Sequence, residues 1–208
     1  MEHDDFATEP VRGLPEKPPA GEIILWQGRP DTLALARDAL NLNWILGYFA
    51  LLIFWRVGVS SADYPLAQAL THAIPFVVIG ALTAGLILLI AWVQAKATVY
   101  TVTSARVAMR VGAALTITLN LPYTRIEAAD LSLRKSGTGT IAFRTAGETK
   151  LSFLVLWPHV RPWHARRPQP ALRCIPDAER VARMIAEAVE TRMSQPTVAL
   201  RSQAVAAE

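Results

Sequence analysis

Cysteine is nearly missing from this chain: Cys174 is the only one in 208 residues. No internal disulfide can form, and a lone thiol fits a reducing compartment. Charge is missing in two places. Residues 60–72 contain no Lys or Arg, and residues 73–93 carry no charged side chain at all. The start of the chain lacks a basic segment followed by a short apolar one, so a cleaved signal peptide is not expected. Catalytic chemistry is equally scarce. A nucleophile beside a base, paired carboxylates or a cluster of His, Cys and carboxylates at ligand spacing would mark a centre, and none is evident. His159 and His164 stand five apart with Pro162 between them, unlike the i, i+4 pair of a helical metal site. Gly137-Thr138-Gly139 precedes no helix and reads as a hairpin turn, not a phosphate cradle. No basic strand interleaved with aromatics supports nucleic acid binding. The reading is a non-enzyme with no cofactor and no metal.

What is present is a pair of apolar stretches, residues 40–59 and 73–93, joined by the short loop 60–72. A helix of about 20 residues crosses the roughly 30 Å hydrocarbon core, so both are expected as transmembrane helices. The alternative, a buried helical hairpin in a soluble core, fits the long uncharged second stretch poorly. Arg56 lies one turn from the end of the first, where its stem can carry the guanidinium to the headgroups. Arg37 precedes the first stretch and Lys96, Arg106 and Arg110 follow the second, whereas the loop offers only Asp63 and His72. The positive-inside bias therefore puts both termini in the cytoplasm and the loop in the periplasm.

The remainder divides by composition. Residues 1–20 are acidic and carry Pro10, Pro15, Pro18, Pro19 and Gly13, as expected of a disordered tail. Residues 21–39 hold a first strand around Ile23 to Trp26 and a lead-in to the membrane. From Gln94 onward sixteen Lys or Arg face eight Asp or Glu, a balance that favours an anionic lipid surface or a solvated face. Residues 94–193 alternate between short strands and turns: Thr98 to Thr103, Val107 to Val111, Leu115 to Leu119, Ile126 to Arg134, Ile141 to Thr145 and Thr149 to Val155. A long loop over residues 157–175 follows, then an amphipathic helix over 177–193, on which Val181, Met184, Ile185, Ala188 and Val189 share one face. Residues 194–208 read as a flexible tail. The fold class is α+β, a two-helix transmembrane hairpin inserted in a small antiparallel β domain closed by a C-terminal helix.

Trp26-Gln27-Gly28-Arg29-Pro30, the apolar hairpin, Tyr100-Thr101-Val102-Thr103 with Arg106, Leu121-Pro122 with Arg125-Ile126, and Gly137-Thr138-Gly139-Thr140 occur in this order. The pattern resembles bacterial pleckstrin-homology-like (PH-like) domains that carry a transmembrane hairpin. His3-Asp4-Asp5-Phe6, residues 51–58, the run from Leu156 to Trp163 and the run from Gln169 to Pro176 are similar to the PuhB family of photosynthetic complex assembly proteins of purple bacteria. Such proteins are encoded with the reaction-centre H subunit. The resemblance implies an assembly factor in the cytoplasmic or intracytoplasmic (chromatophore) membrane. Its implied partners are reaction-centre subunits and light-harvesting 1 polypeptides. A generic membrane-anchored interaction or lipid-binding protein in envelope homeostasis is the alternative.

Candidate contact residues follow from residue type. Trp157, His159, Arg161, Trp163, His164, Arg166 and Arg167 crowd one proline-rich segment. They suit a partner surface, a lipid contact, or a loop whose tryptophans cover the core. Trp26 and Arg29 lie where the first strand meets the membrane, as an interfacial anchor or a partner contact. Gly80, Ala81, Ala84 and Gly85 form a small-residue stripe for packing against the first span, a client helix or a second copy in a homodimer. His72, at a span edge, is a weak pigment-ligand candidate and otherwise an interfacial histidine.

Overall fold

The computed structural model describes residues 9–113, 115–147 and 151–194. The first strand, β1 (Ile24–Gly28), leads through a short helix, α1 (Thr32–Asp38), into α2 (Leu42–Ser60). A further short helix, α3 (Leu66–Thr71), precedes α4 (Ile74–Ala97). Strands β2 (Val99–Thr103), β3 (Arg106–Val111) and β4 (Ile117–Pro122) then pair with β1 as an antiparallel sheet in the order β1-β2-β3-β4. After a 3-10 turn at Tyr123–Arg125, β5 (Ile126–Leu133), β6 (Thr138–Thr145) and β7 (Ala171–Pro176) form a second antiparallel sheet. One helical turn, α5 (Phe153–Leu156), lies between β6 and β7, and α6 (Ala178–Ser194) closes the chain.

The core lies between the sheets and α6. Tyr100, Val107 and Met109 of the first sheet meet Phe143 and Leu172 of the second, and Val181 and Ile185 of α6 complete the cluster. Each of these side chains comes from the inward face of its element, as the alternation of strands and the i, i+4 stripe of a helix dictate.

The helices α2 and α4 pack on each other and, near their ends, on α1 and α3, and are largely bare along the rest of their length. Only 6% of the most apolar window of Leu42–Ser60 and 11% of that of Leu66–Ala97 is buried within the protein. Both are long and apolar enough to cross a membrane. Their exposure is the reverse of a soluble core hairpin, whose apolar faces would be covered. The first helix begins at Leu42, two residues later than the apolar composition indicates, because Asn41 adopts a left-handed conformation (φ 57°) at its N-cap. The second runs four residues beyond position 93, and Lys96 lies over the Trp92 ring at 4.9 Å from its centroid.

Several expectations are corrected. Residues 9–14 of the expected disordered tail are packed, whereas 15–20 are mostly exposed: Leu14 is buried, Glu9 accepts from the Arg110 Nε at 2.5 Å, and Arg12 O accepts from Gln27 Nε2 at 2.9 Å. Gly13 explains the close fit, because at its φ of 80° a Cβ would lie 2.5 Å from Val99 Cγ1. Residues 1–8 of that tail lie outside the described residues. The loop 60–72 contains α3, and the lead-in contains α1, capped by Asp31 through a 2.7 Å bond from Ala34 N. The expected strand Thr149 to Val155 is not formed: positions 149 and 150 lie outside the described residues and Phe153–Leu156 is helical. Instead β6 pairs with β7, so the expected loop 157–175 ends at Pro170 and contributes a strand. Position 194 is the last residue of α6, and the remainder of the expected tail, residues 195–208, lies outside the described residues.

Candidate functional site

The strand β7 connects the small domain to the start of the apolar hairpin. Cys174 O accepts from Asp31 N at 2.8 Å, and Arg173 Nη2 donates to Asp38 O at 3.0 Å, so β7 holds both ends of α1. The proline-rich segment before it is closed at its base. Ala171 N donates to His159 O at 3.0 Å and Arg161 N to Gln169 O at 2.9 Å. What projects is the tip, residues 162–168. There Trp163, with φ 66°, is 96% exposed, and His164 Nδ1 donates to Pro162 O at 2.9 Å.

Two cavities flank this tip. The first, of about 410 Å³, is walled by Asp38, Asp130, Ser132, Arg134, Thr140, Arg161, Trp163, His164 and Arg173. Ion pairs order it: Arg161 Nη1 donates to Asp130 Oδ2 at 2.5 Å, and Arg134 Nε to Asp38 Oδ2 at 3.0 Å. The second, of about 710 Å³, carries Arg144, Arg166 and Arg167 against Glu127. Asp38, Asp130 and Arg134 are absent from the candidates named from sequence. They lie far apart along the chain, and no local pattern could have gathered them.

His159, a contact candidate by residue type, does not belong to this surface. It is 1% exposed, because β2 and the segment before β7 close over it. Its Nδ1 lies 2.6 Å from the Tyr100 hydroxyl and its Nε2 3.0 Å from Thr98 Oγ1. Thr98 Oγ1 donates to Gln94 O and Tyr100 accepts from Arg173 N, so the hydrogens run in one direction: Tyr100 donates to Nδ1 and Nε2–H donates to Thr98. Burial, aided by the Arg173 charge, pushes the imidazole down to about 3, and burial also pushes the Tyr100 phenol up. Both therefore stay neutral, as this chain of bonds requires.

The other candidates separate by exposure. Trp157 is half-exposed, Arg29, Arg166 and Arg167 are exposed, and Arg161 and His164 are partly covered. Trp26 packs on the domain core, and its ring covers Gly28, where a Cβ would lie 2.2 Å from the indole. The small-residue stripe divides. Gly80 faces α2, with Phe49 Cγ 3.0 Å from a Cβ placed there, and Ala84 packs beside the start of α2. Ala81 is exposed and Gly85 has open space beside it. His72 Nδ1 lies 3.1 Å from Ser60 Oγ and its ring meets Tyr64 edge-on at 5.1 Å, so it ties α3 to the end of α2. Among the described residues no group of three or more His, Cys, Asp or Glu could hold a metal ion.

Comparison with known proteins bears on the whole arrangement. A relative from Rhodobacter capsulatus, described as an uncharacterized 23.7 kDa protein in the puhA 5' region, is 46% identical over 209 positions. The alignment covers 100% of this chain and 98% of the relative. No solved structure matches. The bacterial PH domain model matches residues 44–189, taking in most of both apolar helices and every strand except β1, and the chain belongs to that family.

Proposed function

We propose that this protein is a non-enzymatic membrane assembly factor for the photosynthetic reaction centre, and secondarily for its light-harvesting 1 complex. The observation that carries this reading is the relative in the puhA 5' region, 46% identical along the full length. It agrees with the resemblance of the Trp157 to Pro176 segment to assembly proteins encoded with the reaction-centre H subunit. The two bare apolar helices would hold the chain in the cytoplasmic or chromatophore membrane, with both termini cytoplasmic as Arg37 and Lys96 favour. The domain would then present Trp163, Arg166 and Arg167 to an assembling subunit, residue types that concentrate contact energy. Without an energy source, chaperoning comes from tighter binding to incomplete than to finished complexes.

Deletion of the gene tests this. Reaction-centre absorbance in membranes is expected to fall and to recover with the wild-type gene, whereas a Trp163→Ala, Arg166→Gln, Arg167→Gln variant at equal abundance restores less. Normal pigment–protein levels in the deletion strain would sink the reading. Altered envelope behaviour alongside normal complexes would favour a generic membrane-anchored lipid or protein binder, a reading supported by the PH-domain match and the Arg-lined cavities.

A further inference from the structure

We propose that the cavity between β5, β6 and the Trp163 tip binds a phosphodiester, and that its ligand is the headgroup of an anionic phospholipid from the adjoining leaflet. The inference rests on the membrane reading above, because it places the cavity beside a bilayer.

Asp38, whose backbone oxygen is held by Arg173, stands four positions before Leu42, the first residue of α2. Four residues span at most about 14 Å. Leu35, on the same short helix, packs against Ala95 in the last turn of α4. The cavity wall therefore adjoins the same ends of both apolar helices. Trp163 forms part of that wall and is almost fully exposed, the condition of an indole that settles at headgroup depth.

Arg134, Arg161 and Arg173 line the cavity against Asp38 and Asp130; Arg134 pairs with Asp38, and Asp130 holds Arg161 with Arg144 beside it at 3.7 Å. Arg173 is the remaining positive charge. It is 8% exposed, and its bonds go to carbonyl oxygens: Asp38 at 3.0 Å, Val160 at 3.3 Å and Pro158 at 3.4 Å. Its Nε has no hydrogen-bond partner. A buried guanidinium with no carboxylate partner is costly, and an oxyanion in the cavity that it lines offsets its charge. Guanidinium charge therefore exceeds carboxylate charge around the cavity, which favours a headgroup of net negative charge over one whose phosphodiester is offset by its own cation. Ser132 and Thr140 line the cavity with hydroxyls, and about 410 Å³ lies within the range that holds a small ligand.

The test uses the full chain in nanodiscs containing equal phosphatidylglycerol and phosphatidylcholine, with retained lipid counted by native mass spectrometry after transfer to detergent. Phosphatidylglycerol should be retained over phosphatidylcholine by about tenfold, the size of one charge-assisted contact. Arg161→Gln and Trp163→Ala should bring the ratio near one. Arg180→Gln, which removes one charge from the exposed face of α6, should leave it unchanged. Trp163→Ala keeps the test in force if Arg161→Gln does not fold. Equal retention of the two lipids by wild type overturns the proposal, as does an equal loss in Arg180→Gln, which would indicate undirected attraction. Stabilisation by inorganic phosphate without lipid preference overturns the lipid source and assigns a soluble anion. Binding of an acidic peptide at the cavity without lipid preference also overturns it. An alkaline carbonate wash of native membranes separates the two levels: release of the protein defeats the membrane reading, whereas retention without lipid preference defeats the cavity alone.

Discussion

The hydroxyl of Tyr100 lies 2.6 Å from Nδ1 of His159, joining the second strand of the small domain to the segment that precedes its last strand. The same imidazole reaches Thr98, the residue just after α4, so one neutral ring links the β domain to the end of an apolar helix.

A pH dependence follows with a definite sign. His159 titrates near 3 in the folded protein and near its ordinary value of 6.5 when unfolded. Between those values the unfolded chain binds the extra proton, so stability is full above about pH 6.5 and is lost as pH falls toward 3. The slope from this group is up to about 1.4 kcal/mol per pH unit. Chemical denaturation between pH 7 and pH 5 should show a falling midpoint in wild type, and a His159→Gln variant, already destabilised, should show a shallower decline. Identical pH slopes would contradict a neutral buried imidazole.

The contact between Glu9 and Arg110 bears on the N-terminal segment. The Arg110 side chain is 4% exposed and also donates to Ala97 O at 3.1 Å. Glu9→Ala removes a carboxylate from a guanidinium that stays buried, a change that costs about 2 to 3 kcal/mol. We expect a lower unfolding midpoint in Glu9→Ala and a further protease cut within residues 9–20. An Arg110→Met, Glu9→Ala double variant should be less destabilised than the sum of the two single variants. Additive effects would show that the pair is not coupled.

The elements legible in sequence were those written in a local period. Strands β2 and β3, the two apolar helices and α6 each carry their pattern within a single run, so alternation or length was enough to read them. Strand β7 was not legible. Ala171–Pro176 is flanked by prolines and contains Arg173, so it reads as loop until β6, about 30 positions away, supplies its partner. The segment 9–20 misled in its first half for a similar reason. Its prolines and glycine suit disorder by composition, whereas its order comes from Arg110, Gln27 and Val99, far along the chain. The short helix α1 did leave a signal, Asp31 as N-cap after Pro30, that a search for longer periods passes over. For the site, residue type found the exposed tip but wrongly included His159. Its neighbours Trp157 and Arg161 are surface residues in part, whereas its own partners are Thr98 and Tyr100. The cavity, drawn from positions 38 to 173, had no local signature.

The division of the small-residue stripe separates packing inside the hairpin from contact outside it. A Cβ at Gly80 meets Phe49 Cγ at 3.0 Å and Cβ at 3.2 Å, while Gly85 faces open space. Gly80→Leu must push α2 from α4 and should lower the detergent-solubilised unfolding temperature, by about 1 to 3 kcal/mol of overpacking. Gly85→Leu fits without collision and should leave that temperature unchanged. Recovery of associated proteins from native membranes then reads the outer face, because small residues allow close helix approach. Loss of a partner in Gly85→Leu, with normal stability and membrane level, would assign Ala81 and Gly85 to an intermolecular helix contact. Unchanged recovery would confine the stripe's role to Gly80 and Ala84 within the hairpin.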